Sequence, residues 1–467
     1  MSRIVGPVTP AADAVKSRWV LAAVSMALFC VQIDYFAMNL ALPRMASDLH
    51  SGSATDLQWV ISVYMLALGA VMVPAGRIGD IFGRRRALMA GAALFGVASV
   101  LCALAPSAGL LVAFRAVQGL GAALIFPVSV SVLTNAFPAV RASHAIGLAY
   151  GIAGLGNAAG PLIGGLLTQT VGWRWIFWLN VPLTLISLAI GACSITESSD
   201  ETVPRRIDIA GLALVTVGIG LFTLTFDRAP SWGWLSMSTA LAFTGSLAAL
   251  VVFVAVENRV RWPLVDLSLV RNPRFTVLVI AGTIANIAYG VTIFLSTIYL
   301  QQVRGLDPLM AGLAFLGPSA GAALGGVLAG RLAASRPPTL VMGLTSVLAA
   351  VSLAVLAASS DWVVYLGALS ACGFTLGLVY AFTTVATQAV VRPERAGEAA
   401  GVTLTALVTL AGVGVAVSGT VLEMLQRAGM STAGAVDIIV AVLAAMLLPA
   451  GAVVLLIARA SNSGTGT

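Results

Sequence analysis

Charge is what this sequence has least of. Of 467 residues, 9% are Asp, Glu, Lys or Arg and 59% are hydrophobic, against roughly a quarter charged in an average soluble domain. That deficit argues against a soluble fold. Lysine is almost missing: Lys16 is the only one. The chain therefore has no GxxxxGK(S/T) phosphate loop, which argues against direct ATP hydrolysis. The glycine pairs Gly119/Gly121, Gly154/Gly156, Gly218/Gly220 and Gly412/Gly414 lie within apolar stretches and do not read as dinucleotide sites. Cys30, Cys102, Cys193 and Cys372 are all inside apolar blocks without CxxC or metal-ligand spacing, so neither a disulfide nor a zinc site is expected. His50 and His144 fall in loops expected on opposite sides of a membrane, which argues against a metal pair. There is no cluster of acids, histidines and nucleophiles of the kind a membrane-embedded enzyme needs. No enzymatic activity and no cofactor beyond a proton gradient are expected. The net charge of +7 is scattered over short loops, whereas a nucleic-acid binder gathers its Lys and Arg on one surface.

What is present is a series of apolar blocks of about 20 residues, the length an α-helix needs to cross roughly 30 Å of hydrocarbon. Fourteen such spans are expected, the first over 19–42, the second over 57–75 and the seventh over 209–226, which makes the fold class all-α integral membrane. If the N-terminus is cytoplasmic, only Arg44, Arg174, Arg228, Arg304 and Arg427 of the 25 Lys and Arg fall on external segments, with Arg115 intramembrane. The cytoplasmic excess, in clusters such as Arg84–Arg85–Arg86, Arg205–Arg206 and Arg259 to Arg274, obeys the positive-inside rule. Both termini are then cytoplasmic, in an inner or plasma membrane, with the first span retained as a signal anchor. Ala75-Gly76-Arg77 closes the second span as Ala329-Gly330-Arg331 closes the tenth, which suggests two related halves around an insertion. The expected organisation is a segment 1–18, a six-helix bundle 19–195, a linker 196–208, an inserted helix pair 209–256, a linker 257–274, a second six-helix bundle 275–459 and a tail 460–467.

Four stretches carry a family likeness. Gly76-Arg77-Ile78-Gly79-Asp80-Ile81-Phe82-Gly83-Arg84-Arg85-Arg86 follows the second span, where glycines permit a tight turn with close helix approach and Asp80 can face a helix N-terminus or pair with an arginine. It resembles the signature loop of the major facilitator superfamily. Arg115-Ala116-Val117-Gln118-Gly119-Leu120-Gly121 resembles the family's fourth-helix motif, and Gly156-Asn157-Ala158-Ala159-Gly160-Pro161-Leu162-Ile163-Gly164-Gly165 its fifth-helix motif associated with antiporters. Asp34-Tyr35-Phe36-Ala37-Met38-Asn39-Leu40-Ala41-Leu42-Pro43 resembles the first-helix motif of the fourteen-span drug:proton antiporters. The likeness also takes in Trp173-Arg174-Trp175-Ile176-Phe177 with Asn180 and Pro182, and Tyr299 to Gly305. It implies a proton-coupled exporter of drug-like molecules working by alternating access.

The residues have readings of their own. Asp34 lies mid-span, where a charged carboxylate costs roughly 2.5 to 3.5 kcal/mol on insertion scales, so it should face the bundle interior or a watery cavity. It is the only acid placed well inside a span, and burial opposed by a cation is the chemistry of a reversible proton carrier. A neutral acid bonded to a neighbouring helix is the plainer alternative. Arg115 stays charged and either biases Asp34 or snorkels to the interface; the resemblance favours coupling. The spacing Gly156, Gly160, Gly164 lets helix backbones approach, with Pro161 adding a kink. With Gly76, Asp80, Gly83 and Arg84, these form the expected conformational switch. The second half has no counterpart of Asp80, since Ala334 occupies that place in the repeat, so latching should be asymmetric.

Met38, Asn39, Trp59, Tyr64, Asn157, Asn286, Tyr289, Phe294, Tyr299, Phe374 and Tyr380 are polar, aromatic or thioether residues in or near spans, a set that suits variable lipophilic ligands. With no mid-membrane acid in the second half, neutral or monocationic substrates are expected. The expected partners are a small-molecule substrate, protons and the lipid bilayer, with the protein a monomer that binds no nucleic acid. A facilitator or importer of a metabolite, or an exporter of a specific metabolite or lipid in the same fold, are the rival readings.

Overall fold

The computed structural model describes residues 10–38, 41–49, 54–200, 208–306, 308–333 and 335–463. Asn39, His50, Arg205, Arg206 and Ala334 lie outside them. In lipid every backbone group must find its partner within the chain, and the described residues meet that demand with helices. In chain order these are α1 (Pro10–Met38), α2 (Leu42–Asp48), α3 (Ala54–Phe82), α4 (Arg84–Ala103), α5 (Ala108–Ala136), α6 (Ala139–Thr170), α7 (Arg174–Ser194), α8 (Ile209–Trp232), α9 (Met237–Glu257), α10 (Leu267–Arg271), α11 (Pro273–Ile298), α12 (Pro308–Ala314), α13 (Leu316–Ala333), α14 (Pro338–Ala357), α15 (Trp362–Ala389), α16 (Ala396–Arg427) and α17 (Thr432–Ser463). Among the described residues fourteen helices are long and apolar enough to cross a membrane.

Helix starts are written locally. Ser107, Asp208, Ser236, Asn272 and Asp361 each accept a hydrogen bond from a backbone N–H in the first turn of the helix that follows, satisfying donors that have no intrahelical partner. Several ends differ from the sequence reading. The first span ends at Met38 rather than 42. The second continues to Phe82 rather than 75, so Gly76, Arg77, Gly79 and Asp80 are helical and the expected loop shrinks to Gly83, at φ +119°. That positive φ suits a residue without a Cβ. The seventh span runs to Trp232 rather than 226, which draws Asp227 and Arg228 into α8. His144 lies within α6, not in a loop.

The two halves meet through two equivalent crossings. Helix α3, second in its half, packs on α16, fifth of the other; α13, second in its half, packs on α6, fifth of the first. Both crossings are glycine-lined. A Cβ at Gly76 would run into the carbonyl oxygen of Gly397, and one at Gly330 would come within 2.8 Å of the His144 carbonyl oxygen. The repeated Ala-Gly-Arg thus marks matching sites of backbone contact. The pair α8–α9 lies outside the halves, with α8 against α3 and α16. Its lower end shares a small apolar core, Val215 and Phe253 with Val73, Leu264 and Val265.

Candidate functional site

Asp34 on α1 and Arg115 on α5 form an ion pair at 2.5 Å, both side chains 0% exposed. Arg115 therefore does not snorkel. The carboxylate oxygen not bonded to Arg115 accepts from Asn180 on α7 at 2.7 Å and Gln118 on α5 at 3.2 Å. Arg115 also donates to the Gln118 amide oxygen at 2.7 Å and, through Nε, to the Val60 carbonyl on α3 at 3.0 Å. Ser99 on α4 closes the network by accepting from Gln118 at 2.8 Å. The guanidinium lies over the Tyr64 ring, 4.2 Å from its centroid. Five helices of one half thus converge on a single buried charge pair. A buried pair is costly to desolvate, and removing one partner costs about 3 to 5 kcal/mol because the other charge is stranded. One guanidinium nitrogen, Arg115 NH2, and the Tyr64 hydroxyl remain without a partner. Gln118, Asn180 and Ser99 were given no role by sequence. Gln118 was within reach, one turn from Arg115, whereas Asn180 and Ser99 become partners only when α7 and α4 fold against α1.

The second cluster sits at the seam between the halves, at the bundle end carrying residues 80–86. The Asp80 carboxylate accepts from Arg84 Nε at 2.8 Å and from the Ser131 hydroxyl at 2.8 Å. Its other oxygen accepts from the backbone N–H of Glu398 at 2.9 Å, in the first turn of α16, where unpaired amides and the helix dipole favour an anion. Arg84 donates across the seam to the Glu394 carbonyl at 2.7 Å. Arg77 faces Glu398 at 3.4 Å. Glu398 in turn accepts from the Asp266 backbone at 2.6 Å, and Asp266 is ion-paired with Arg395. Against the upward push of partial burial, hydrogen bonds from Arg395 and Ser268 hold the Asp266 carboxyl down at about 2. Both expectations for Asp80, a helix N-terminus and an arginine, describe its contacts. Gly83 has a further reason to be glycine, since a Cβ there would meet the Glu197 carboxylate at 2.6 Å, which accepts from the Arg85 and Arg86 amides at the start of α4.

The fifth-helix glycines pack within one half. A Cβ at Gly156 would lie 2.8 Å from the Phe29 carbonyl oxygen, one at Gly160 2.6 Å from Phe36 Cβ, and one at Gly164 would run into Ala37. Pro161 lies on the same helix.

A family model for the Major Facilitator Superfamily matches residues 24–416. The chain belongs to the major facilitator superfamily. Its relatives include the multidrug resistance protein Stp of Mycobacterium tuberculosis, 33% identical over 86% of this chain and 75% of that protein. The tetracenomycin C resistance and export protein of Streptomyces glaucescens is 32% identical over 89% and 78%, and the puromycin resistance protein pur8 of Streptomyces alboniger 33% over 86% and 81%. Among solved structures the human organic anion transporter MFSD10 shares the fold, with a TM-score of 0.69 at 16% identity, covering 93% of this chain and 99% of its own. The protein is a transporter rather than an enzyme.

Transporter folds built from two repeats hold their sites at the interface between the repeats, and the suggested cavity residues divide on that criterion. Asn157 on α6 lies near the Tyr289 hydroxyl on α11, and Tyr380 on α15 meets Tyr150 on α6 edge to face, centroids 5.7 Å apart; each pair spans the two halves. Tyr150 was not foreseen. Asn286 donates to the Leu407 carbonyl within the second half at 2.8 Å. Phe294 and Phe374 pack on the second half's core, and Tyr299 is buried in it, stacked on Tyr365 at 4.6 Å. Met38 and Tyr64 are wholly buried in the first half. Trp59 lies under Arg228 of the inserted pair, 3.5 Å from ring centroid to guanidinium. Among the described residues, no hydrogen bond or ring contact joins Trp59, Tyr64 or Tyr299 to Asn157, Tyr289, Tyr150 or Tyr380.

Proposed function

We propose that the protein is a proton-driven exporter of small lipophilic compounds, neutral or monocationic, working by alternating access in the plasma membrane as a monomer with both termini cytoplasmic. The sealed Asp34–Arg115 pair is the observation that carries this reading. With Asp34 ionised the site is neutral; with Asp34 protonated it holds an unpaired buried guanidinium. That difference gives a proton a handle on the energies of the transporter's states, as coupling requires. Arg115 stays charged, so the titrating partner is Asp34. The relatives' names, which speak of multidrug resistance and of tetracenomycin C export, support the direction and the substrate class. The charge bias supports a cytoplasmic Asp80 end, and on that reading the engaged seam corresponds to a state closed on that side. Asn157, Tyr289 and Tyr380 offer phenols and an amide to a ligand between the halves, with no carboxylate among them.

The test is transport in proteoliposomes under an imposed pH gradient, with tetraphenylphosphonium as a monocationic probe and a panel of neutral drugs. Asp34→Asn is expected to abolish gradient-driven accumulation, to leave equilibrium binding of neutral compounds intact and to weaken that of the cation. Accumulation by Asp34→Asn with wild-type pH dependence overturns the proposal.

A further inference from the structure

The inserted pair carries two acids that neither the Asp34 site nor the seam uses, and they meet at one end of it. Asp208 caps α8, its Oδ1 accepting from the Ala210 N–H at 3.0 Å. Glu257 ends α9 and is 4% exposed, with Oε2 accepting from the Val265 N–H at 3.2 Å. The second oxygen of each carboxyl is sealed from solvent and has no hydrogen-bond donor. Those two oxygens converge. A Cβ at Gly211, in the first turn of α8, would run into Glu257 Oε1 and lie 2.5 Å from Asp208 Oδ2, so the oxygens are no more than about 5 Å apart. Only a residue without a Cβ leaves room for both. Among the described residues no cation pairs with either acid. Arg77 on α3 is held by Glu398 of α16, Arg395 by Asp266 and Arg271 by Asn258, while Arg259 and Arg261 are exposed, the latter beside the Trp262 ring. Glu398 is the other acid within electrostatic reach of Glu257, and it is bonded to Arg77 and to the Asp266 N–H.

We infer that Asp208 and Glu257 form a second proton-binding site, in which one proton held by the two carboxyls clasps the start of α8 to the end of α9. Two ionised carboxylates this close repel. With no cation between them and neither facing oxygen open to water, protonation of one is what removes the clash, and the carboxylate that remains accepts the hydrogen of its neighbour. The proton belongs to the pair rather than to either residue. An O–H bond forms on one carboxyl as the site loads and breaks as it empties, and nothing is oxidised or reduced. As pH rises and the proton leaves, like charges push the two helix ends apart. Further along the pair, Ser246 donates to the Gly218 carbonyl at 2.8 Å and Leu250 packs on Gly218, which confines the opening to the clasped end. Neither acid bonds a residue of the seam, so the inference stands apart from the coupling assigned to Asp34. In the proposed topology this end faces the cytoplasm, and the clasp responds to the acidity there.

The test uses full-length protein in nanodiscs, with Asp34→Asn as the background so that Asp34 adds no signal. Infrared difference spectra recorded as pH is raised are expected to show the loss of a protonated-carboxyl band. Glu257→Gln and Asp208→Asn, each added singly to that background, should both remove this band entirely. In each the amide supplies the hydrogen that the proton supplied, and the surviving carboxylate stays ionised. Spin labels at Ile209 and Val254, both exposed, read the clasp. Their distance should lengthen with the same midpoint as the band in the background protein and stay short at every pH in both amide variants. A band that survives either variant, or spectra that neither variant changes, overturns the inference. So does a label distance that does not follow the band. Removal of the band at constant pH by sodium, where choline leaves it, makes this a metal-cation site and also overturns it.

Discussion

Two buried aspartate–arginine pairs of similar length differ in where their remaining bonds go. Asp34 and Arg115 draw every partner from one half: Asn180, Gln118, Tyr64 and the Val60 carbonyl. None of those contacts crosses the seam, so in the proposed mechanism the pair's protonation acts on the halves' position through the half it sits in, and not through a bond between the halves. Asp80 and Arg84 each spend a bond across the seam, on the Glu398 amide and the Glu394 carbonyl. Their energy falls when that end closes and rises when it opens. In the proposed mechanism the same two kinds of side chain serve as a charge store in one place and a latch in the other, distinguished by whether the third partner belongs to the same half.

The most forceful way to break the latch without touching a charge is Gly76→Val. Its new atoms meet the Gly397 backbone on one side and Pro127 on the other, obstacles that cannot rotate away. Overpacking of this kind costs up to about 3 kcal/mol, roughly a hundredfold in population against the closed seam. Spin labels on the two halves at the Asp80 end should report a distance distribution shifted to long values, and transport should stop.

Asp80→Asn is gentler. The amide keeps the shape and one acceptor but loses the anion at the α16 N-terminus and the charge on Arg84's partner. Charge-assisted bonds reduced to neutral ones lose about 1 kcal/mol, roughly fivefold in population. The same labels should show a smaller shift toward the open seam, with folding intact; an unchanged distribution would reduce Asp80 to a topogenic feature.

Asp266→Asn should do least. Its partly exposed pair with Arg395 is of the kind worth about 0.2 to 1 kcal/mol, and the effect should shrink further as salt is raised. The carboxyl sits at about 2, below its ordinary 3.8. Its contribution is therefore complete above the ordinary value and is lost only as pH falls through about 2. Between pH 5 and 8 the difference between variant and wild type, read as seam population, should stay flat.

These contrasts also separate what was legible in the sequence from what was not. The apolar blocks gave fourteen spans because length and hydropathy are properties of single helices. Asp34 and Arg115 stood out for the same reason, each being a charge where charge is expensive. The turn after the second span was misplaced: Gly76 and Gly79 were read as loop residues, yet here their missing side chains serve helix–helix contact. Asp227 was read as lying outside the seventh span because α8 runs on to Trp232, beyond the point where hydropathy suggested it ended. Glu398, near a predicted end, gave no local sign that its backbone amide would meet a carboxylate from residue 80. Contacts across the seam depend on two distant helices agreeing, and a single sequence carries no local record of that.

The most direct test of the central claim, that the store is protonic and the latch mechanical, is the pH dependence of the spin-label distance across the Asp80 end in wild type, Asp34→Asn and Asp80→Asn. The account predicts a pH-dependent distribution in the wild type, the same dependence about a shifted midpoint in Asp80→Asn, and none in Asp34→Asn. A wild-type pH dependence in Asp34→Asn would contradict it.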